Sequence, residues 1–207
     1  MLIALEGIAG SGKTTLRDRI LHLAEHSGIP VRHIGQFSWL SPAATRTLVA
    51  MRTGRAIVDE LDAVAAVLDD LTLHAHHNIA AAARDGHVLA DRLILSSACL
   101  LGLNYPGTVA RHLEPLVRVT NALPDLTVLV TTPVEVCAAR LAARPTAQRV
   151  GDDSGTATRL HELYQRCADL WPHGTGRPLL RQPLNTFEDT EQLARQLLDE
   201  LEKVGTQ

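Results

Sequence analysis

The sequence predicts an α/β fold of three layers, in which helices cover both faces of a five-stranded, mostly parallel sheet. Three observations support this prediction. Short apolar runs bounded by turn residues alternate with stretches of helical periodicity, which is typical of right-handed strand–helix–strand units. The first apolar run leads within one residue into a glycine-rich loop and then into a helical pattern. The chain has 207 residues, of which 45% are apolar, so it can bury one core, and we expect a single domain over residues 1–207.

Five short segments have the composition of strands in a parallel sheet. They are residues 2–6, 31–35, 87–91, 126–131 and, less clearly, 178–184. Ligands of such sheets bind beyond the carboxyl ends of the strands. Four residues at these strand ends are therefore expected to converge: Gly7, Gly35, Asp91 and Thr132.

Helical patterns occupy the segments between the strands. They cover residues 13–27, 41–54, 57–85, a segment opening near 132, 156–170 and 188–201. Gly28 is a typical residue after a helix end, and Ser41 followed by proline is a typical start. Thr132 and Glu135 have the spacing of a capping box. Pro172 is expected to end the helix that begins near residue 156.

Composition argues against several classes of function. The net charge is −3 with a pI near 6.3, and aromatic residues make up only 3%, so we expect no nucleic-acid polymer and no membrane as partners. The three cysteines, at positions 99, 137 and 167, lack metal-binding spacing and fit buried thiols in a reducing compartment. No apolar run reaches about 18 residues. We therefore expect a soluble, cytoplasmic protein.

The most specific motif is the sequence from Gly7 to Thr14, which matches GxxxxGK[ST]. Its glycines allow several backbone N–H groups to face one anion, and the helix that follows adds its positive dipole end. In such a loop Lys13 reaches the β- and γ-phosphates, while the hydroxyl of Thr14 ligates Mg²⁺. The residues expected to hold the nucleotide are Gly7, Gly10, Ser11, Gly12, Lys13, Thr14 and Thr15. The alternative is a glycine turn that only caps a helix.

A second basic segment lies near residues 143–155. Arg140, Arg144 and Arg149 precede a polar, glycine-flanked stretch at 151–155. Guanidinium groups on a mobile loop can bridge the oxygens of a transferring phosphoryl group after closure excludes water. We therefore interpret this segment as an arginine-bearing lid on a P-loop NTPase fold. A solvated surface loop with incidental arginines is the alternative.

Four segments, in order, resemble the thymidylate kinase family of nucleoside-monophosphate kinases. They are the phosphate loop with Glu6 before it and Thr15 after it, residues 86–97 with the Asp91-Arg92 pair and two serines, residues 124–130 reading PDLTVLV, and the basic stretch 144–149. The phosphate loop is shared by many families, whereas the ordered combination is specific. The resemblance covers most of the chain up to about residue 170.

The resemblance implies a set of catalytic residues: Lys13, Asp91, Arg92, Arg144 and Arg149. Lys13 and Thr14 resemble the contacts to the nucleotide phosphates and to Mg²⁺, and Asp91 resembles a carboxylate near the metal. Arg46 and Arg92 resemble the arginines that bind the phosphate of the acceptor. ATP and Mg²⁺ are the implied cofactors. The family commonly forms two-fold dimers through long helices, which makes the helix at 57–85 a candidate homodimer interface; a buried helix in a monomer is the alternative.

The chain departs from the family on the acceptor side. Gln36 stands where a carboxylate is usual, and the long helix has Val67 and Leu71 where a stacking phenylalanine and an arginine are usual. His74 shares their helix face, and Leu100 and Leu101 replace a tyrosine and a glutamine. We thus predict an unusually apolar acceptor site. Its candidate residues are Arg46, Arg92, Gln36, Phe37, Val67, Leu71, His74 and Leu101, with Trp39 either lining the cleft or packing on a helix.

Three functions remain open from the sequence. The first is transfer of the γ-phosphoryl group of ATP to a nucleoside monophosphate or a similar small phosphorylated acceptor other than ordinary dTMP. The second is phosphorylation of a hydroxyl group, as in a nucleoside or specialised metabolite, with Asp91 as the general base. The third is a nucleotide-binding module without catalysis.

Overall fold

A computed structural model describes residues 1–54, 57–144 and 153–205 of the chain. Its centre is a five-stranded sheet in which every pairing is parallel, with the order β2-β3-β1-β4-β5. The strands are Leu2–Glu6 (β1), Val31–Ile34 (β2), His87–Asp91 (β3), Leu126–Val130 (β4) and Leu179–Gln182 (β5). The predicted fold class and all five predicted strands are confirmed, with ends that differ by at most two residues.

The register of the sheet brings the ends of the central strands to one edge. Leu5 of β1 lies opposite Asp91, the last residue of β3, and Glu6 lies opposite Leu129 of β4. The loops that follow these strands therefore leave the sheet side by side, and the phosphate loop is flanked by the segments after β3 and β4.

Helices cover both faces of the sheet. They are α1 (Lys13–His26), α2 (Pro42–Thr53), α3 (Glu60–Leu73), α4 (Ala80–Arg84), α5 (Ile94–Asn104), α6 (Val109–Val117), α7 (Val134–Ala142), α8 (Ser154–Thr175) and α9 (Phe187–Gly205). A π-helical segment, His74–Ile79, joins α3 to α4. The long helix predicted at 57–85 is therefore present, with a π-helical stretch inside it. Within the described ranges, no helix has the length and apolar character needed to cross a membrane.

Two apolar cores explain why β1, at the centre of the sheet, is buried on both faces. Ile3 and Leu5 pack on one face with α1 and α9, in a cluster that includes Leu16 and Leu197. Alternate β1 residues, such as Ala4, face a larger core that contains α5 and α8. Successive residues of a strand point to opposite faces of the sheet. A strand that is covered on both faces is therefore a continuous apolar run and does not alternate apolar with polar residues.

Two predictions about helix ends are wrong. Thr132 does not cap a helix: α7 begins after Pro133, and the Thr132 hydroxyl donates to the carbonyl of Ser11 at 2.9 Å instead. Pro172 does not end α8, which continues to Thr175. The preceding Trp171 is fully buried, so packing of that residue holds the helix in place beyond the proline.

Helices α5 and α6 were not predicted from the sequence. The sequence between β3 and β4 shows no clear helical periodicity. In the structure, α5 packs against α6 and α8 on the face of the sheet that carries the larger core. The dimer interface proposed for the 57–85 helix stays a prediction. Its exposed apolar residues Ile57 and Leu61 are compatible with it.

Candidate active site

Gly7 and Gly10 of the phosphate loop combine a positive φ with close backbone neighbours, so that neither position has space for a side chain. Gly7 and Gly10 have φ values of 135° and 78°. A Cβ atom at Gly7 would lie 2.6 Å from the carbonyl oxygen of Val130, and one at Gly10 would lie 2.5 Å from that of Cys137. The loop is therefore both left-handed and tightly packed at these residues, as a phosphate cradle requires.

The packing of this loop leads to a stability prediction. Gly10→Ala is expected to lower the free energy of unfolding by clearly more than the roughly 1–2 kcal/mol that a left-handed residue alone costs, because the new Cβ meets backbone. Gly28→Ala is the matched control: Gly28 has a φ of 70° but nothing within 4 Å of its Cβ position. Urea denaturation of both variants measures the difference. Equal losses would show that the cradle is loosely packed.

The side chain of Lys13, which is predicted to contact the nucleotide phosphates, folds back onto the phosphate loop. Its Nζ donates to the carbonyl of Ile8 at 2.7 Å and to Oγ of Ser11 at 3.2 Å. The side chain is buried, and this burial holds the pKa of Lys13 well below its usual range. Asp91 and Glu6 oppose this shift but do not outweigh it, and a bound polyphosphate would add further negative charge beside the ammonium group.

A cavity of about 470 Å³ opens above the loop. The predicted nucleotide residues Gly10, Ser11, Gly12, Lys13, Thr14 and Thr15 all line it, together with Asp91, Arg92, Arg140, Arg144 and residues 185–187. Gly7, the first residue of the loop, does not line this cavity; its carbonyl accepts from Nη1 of Arg92 at 2.7 Å. The cavity is thus rich in cationic and hydroxyl side chains, the groups that a nucleoside triphosphate needs as partners.

Arg140 is part of this site and was missing from the predicted site residues. Its Nη2 donates to the carbonyls of Leu184 and Asn185 at 2.8 and 2.9 Å. The other terminal nitrogen, Nη1, lies 3.5 Å from the carbonyl of Gly10. Arg140 therefore joins the phosphate loop to the segment before α9. Its position in the sequence, two turns into α7, gives no signal of these contacts.

Asp91 ends β3 and Arg92 follows it, beside the phosphate loop, as predicted. Arg92 has a φ of 75°, an uncommon value for a residue other than glycine. Its Nη1 donates to the carbonyl of Gly7 and, at 2.7 Å, to Oη of Tyr164 on α8. Asp91 accepts from Nη1 of Arg17 at 3.3 Å. The two side chains are thus held by partners from the loop and from α1 and α8.

Glu6 has a structural role that supports the position of Arg92. Its buried carboxylate accepts from the backbone N–H groups of Leu93, Leu95 and Ser96 at 2.9, 3.0 and 3.1 Å, and also from the Ser96 hydroxyl. These groups lie at the start of α5. Burial raises the pKa of Glu6, while the hydrogen bonds from Ser96 and Leu93 oppose that shift. Glu6 therefore fixes the turn that carries Arg92.

A second cavity, of about 230 Å³, lies on the other side of Asp91 and Arg92. Its remaining lining comes from β2, the loop after it and α2: His33, Gly35, Gln36, Phe37, Trp39 and Arg52. Gln36 and Phe37, two of the residues predicted to contact the acceptor, thus line this cavity. Arg52 was not predicted, and its guanidinium carbon lies 5.7 Å from the centre of the Phe37 ring.

Five residues predicted to contact the acceptor lie elsewhere. Val67, Leu71, His74 and Leu101 are fully or almost fully buried in the core and line neither of these cavities. Arg46 is exposed on α2 and is also absent from both linings. The shared helix face of Val67, Leu71 and His74 was read correctly, but that face packs against the core.

The same helix face reaches the acceptor side indirectly. Asp70, which is buried, accepts from the backbone N–H groups of Ser38 and Trp39 at 3.0 and 3.1 Å. One turn later, Nε2 of His74 donates to the carbonyl of Gly35 at 2.9 Å. Burial lowers the pKa of His74. These two side chains hold the loop after β2 against the long helix, so they position the cavity lining from behind.

The lid is only partly covered by the described residues. Arg144 lines the first cavity, whereas Arg149 and the stretch 145–152 lie outside the described ranges. Asp153 caps α8 by accepting from the N–H of Thr156 at 2.9 Å. The role of the arginines in a lid therefore stays a prediction.

A glycine cradle around a buried lysine, set at the carboxyl edge of a 2-3-1-4-5 parallel sheet, is typical of the P-loop class of nucleoside-triphosphate-binding proteins. Comparison with known proteins narrows this class. The family model described as thymidylate kinase matches residues 5–173. The chain belongs to the thymidylate kinase family and is a kinase.

Relatives with assigned names agree with this membership. A thymidylate kinase of Xanthomonas campestris pv. campestris is 33% identical over 79% of this chain and 70% of its own length. A probable thymidylate kinase of Methanospirillum hungatei is 27% identical over 82% of this chain and 81% of its own. Another, of Archaeoglobus fulgidus, is 27% identical over 70% of each chain. The shared family supports an ATP-dependent nucleoside-monophosphate kinase.

Proposed function

We propose that this kinase transfers the γ-phosphoryl group of ATP to a nucleoside monophosphate, or a similar small phosphorylated acceptor, other than ordinary dTMP. One observation carries the proposal. The nucleotide cavity and the second cavity share Asp91 and Arg92 as a common wall. A donor in one cavity and an acceptor in the other would meet at these two residues, as direct transfer between two bound substrates requires.

The charges of the second cavity favour an anionic acceptor. Arg52 and Arg92 both contribute to its lining, and guanidinium groups bind phosphate oxygens with matched geometry. A phosphate that accepts a phosphoryl group is already an anionic nucleophile and needs no general base. The protein then has to align two substrates and offset their charge, and positioned cations do both.

Thr14 and Asp91 are suited to hold Mg²⁺. Both line the nucleotide cavity, whose volume of about 470 Å³ leaves room for the polyphosphate that brings the metal. Proteins usually bind Mg²⁺ through one or two oxygen groups together with substrate phosphates and water. When bound there, the ion would offset the negative charge of the phosphate oxygens. Arg17 holds the Asp91 carboxylate at this edge by their ion pair.

The second cavity gives reasons to doubt dTMP as the acceptor. The two positions where the family resemblance places a stacking ring and an arginine are Val67 and Leu71, and both are buried in the core. Neither supplies a polar group for a pyrimidine carbonyl. A site that discriminates strongly between bases does so with hydrogen-bonding groups that a wrong base leaves unpaired. Gln36 lines the cavity with a neutral amide at a position where the family resemblance places a carboxylate.

An acceptor panel tests the proposal. ADP release from Mg·ATP would be measured with the common nucleoside monophosphates, the corresponding nucleosides and ribose 5-phosphate. We expect turnover with at least one phosphomonoester, dTMP at least about ten-fold poorer in kcat/KM than the best acceptor, and little turnover with nucleosides. Ordinary efficiency with dTMP would refute the divergence. Turnover with nucleosides alone would support the hydroxyl kinase, and none with any acceptor would support a silent module.

A further inference from the structure

Trp39 is held in an unusual conformation at the mouth of the second cavity. It follows β2, lines that cavity and keeps 45% of its surface exposed. Its φ is 57°, in the left-handed region that bulky side chains rarely adopt. A large aromatic residue that is both half-exposed and strained must be held there by its surroundings, and such outliers concentrate at functional sites.

The backbone of Trp39 is held by a buried carboxylate, that of Asp70, whose burial is unfavourable by itself. The carboxylate of Asp70 is buried at 1% exposure, and it accepts from the N–H of Trp39, from the N–H of Ser38 and, at 2.7 Å, from the Ser38 hydroxyl. Burying a carboxylate is unfavourable unless its oxygens are satisfied. Here that group is used to fix the backbone that presents Trp39.

The residues around Trp39 include a second aromatic ring and two arginines. The Phe37 ring packs edge-on to the Trp39 ring with 5.1 Å between centroids, and Phe37 itself is buried. This contact orients the indole from one side. Arg52 and Arg92 supply positive charge to the same cavity, and Gln36 supplies an amide. An aromatic surface therefore lies beside two phosphate-binding groups.

We infer that Trp39 is the stacking platform for a planar ring on the acceptor. This rests on the proposed function and names the acceptor class: a phosphomonoester that carries an aromatic ring, such as a nucleobase, with its phosphate bound by Arg92 and Arg52. The ring contact then comes from the loop after β2, while the long helix only supports that loop through Asp70 and His74.

Tryptophan fluorescence offers a direct test, because the only other tryptophan, Trp171, is fully buried. The probes are uridine, thymidine, cytidine, adenosine and guanosine 5′-monophosphates, with ribose 5-phosphate as the ringless control. Saturating Mg·ADP keeps the nucleotide cavity occupied. We expect at least one monophosphate to quench the emission and to protect it from iodide, while ribose 5-phosphate leaves the emission unchanged.

Substitutions separate stacking from a structural role. Trp39→Leu keeps apolar bulk without a ring and is expected to raise the dissociation constant of that monophosphate, measured by calorimetry, about ten- to hundred-fold. Trp39→Phe keeps a ring and should lose clearly less. Neither variant should change the affinity for ribose 5-phosphate or the KM for ATP. Leu40→Ala, at an exposed neighbour, is expected to have no effect.

The outcomes distinguish this inference from the proposed function. If an acceptor from the panel is phosphorylated but Trp39→Leu and Trp39→Phe bind it as tightly as the unaltered chain, the inference is wrong and the function stands. A ringless phosphomonoester as the best acceptor, or no quenching by any monophosphate, also overturns the inference. If a monophosphate binds at Trp39 but none is phosphorylated, the proposed function fails and the platform remains.

Discussion

Lys13→Ala is expected to lower kcat for phosphoryl transfer at least about hundred-fold while the chain stays folded. The ammonium group lies within the phosphate loop, where it donates to the Ile8 carbonyl and to Ser11. No other lysine is near: the only other one in the sequence is Lys203, in the last helix. The measurement is ADP release with the best acceptor, combined with circular dichroism of the variant. Transfer at the original rate would refute the assigned mechanism.

The buried lysine also predicts how nucleotide affinity depends on pH. Burial lowers the pKa of Lys13 in the free protein, and a polyphosphate beside Nζ stabilises the charged form. Nucleotide binding is then linked to uptake of a proton once the pH exceeds the lowered pKa. The affinity for ATP should therefore fall as the pH rises above the lowered pKa of Lys13, in a range where an ordinary lysine would still be charged. Lys13→Ala should abolish this slope.

Much of the fold was predictable because its signals are local. The strands are short apolar runs, and the phosphate loop has its defining residues within eight positions. Helix α5 shows where this approach fails. Its residues from Ile94 to Cys99 are all buried, including Ser96 and Ser97, so it has no exposed face to create a helical period. In α6, the helix after α5, Pro115 argues against a helix because proline usually interrupts one.

The nucleotide side and the acceptor side of the candidate site also differ in how far their residues can be predicted from local sequence. The nucleotide side is built from consecutive residues, so its motif identifies them. The acceptor side depends on contacts between distant residues, such as Asp70 with Ser38 and Arg17 with Asp91. An apolar helix face has the same spacing whether it lines a cavity or packs in a core, and Val67 does the latter. Arg46 and Arg52 share a helix, and only the structure shows that Arg52 lines the cavity.

Glu6→Ala is expected to lower the free energy of unfolding by roughly 3–5 kcal/mol. The change removes the acceptor for three N–H groups at the start of α5 and for the Ser96 hydroxyl, all in a buried environment. It also removes the negative charge close to the partly buried guanidinium of Arg92. Urea denaturation measures the loss, and the KM for the acceptor should rise because the turn that carries Arg92 is no longer fixed.

Two further variants show whether this cost comes from burial. Glu135→Ala removes an exposed carboxylate from the first turn of α7 and should cost no more than about 1 kcal/mol, the usual contribution of a charge near a helix dipole. Glu6→Gln keeps one oxygen as an acceptor but places an amide N–H₂ against donors, so an intermediate loss is expected. If Glu6→Ala were as mild as Glu135→Ala, the N–H groups of α5 would have to find other acceptors. The carboxylate would then not be what fixes Arg92 between the two cavities.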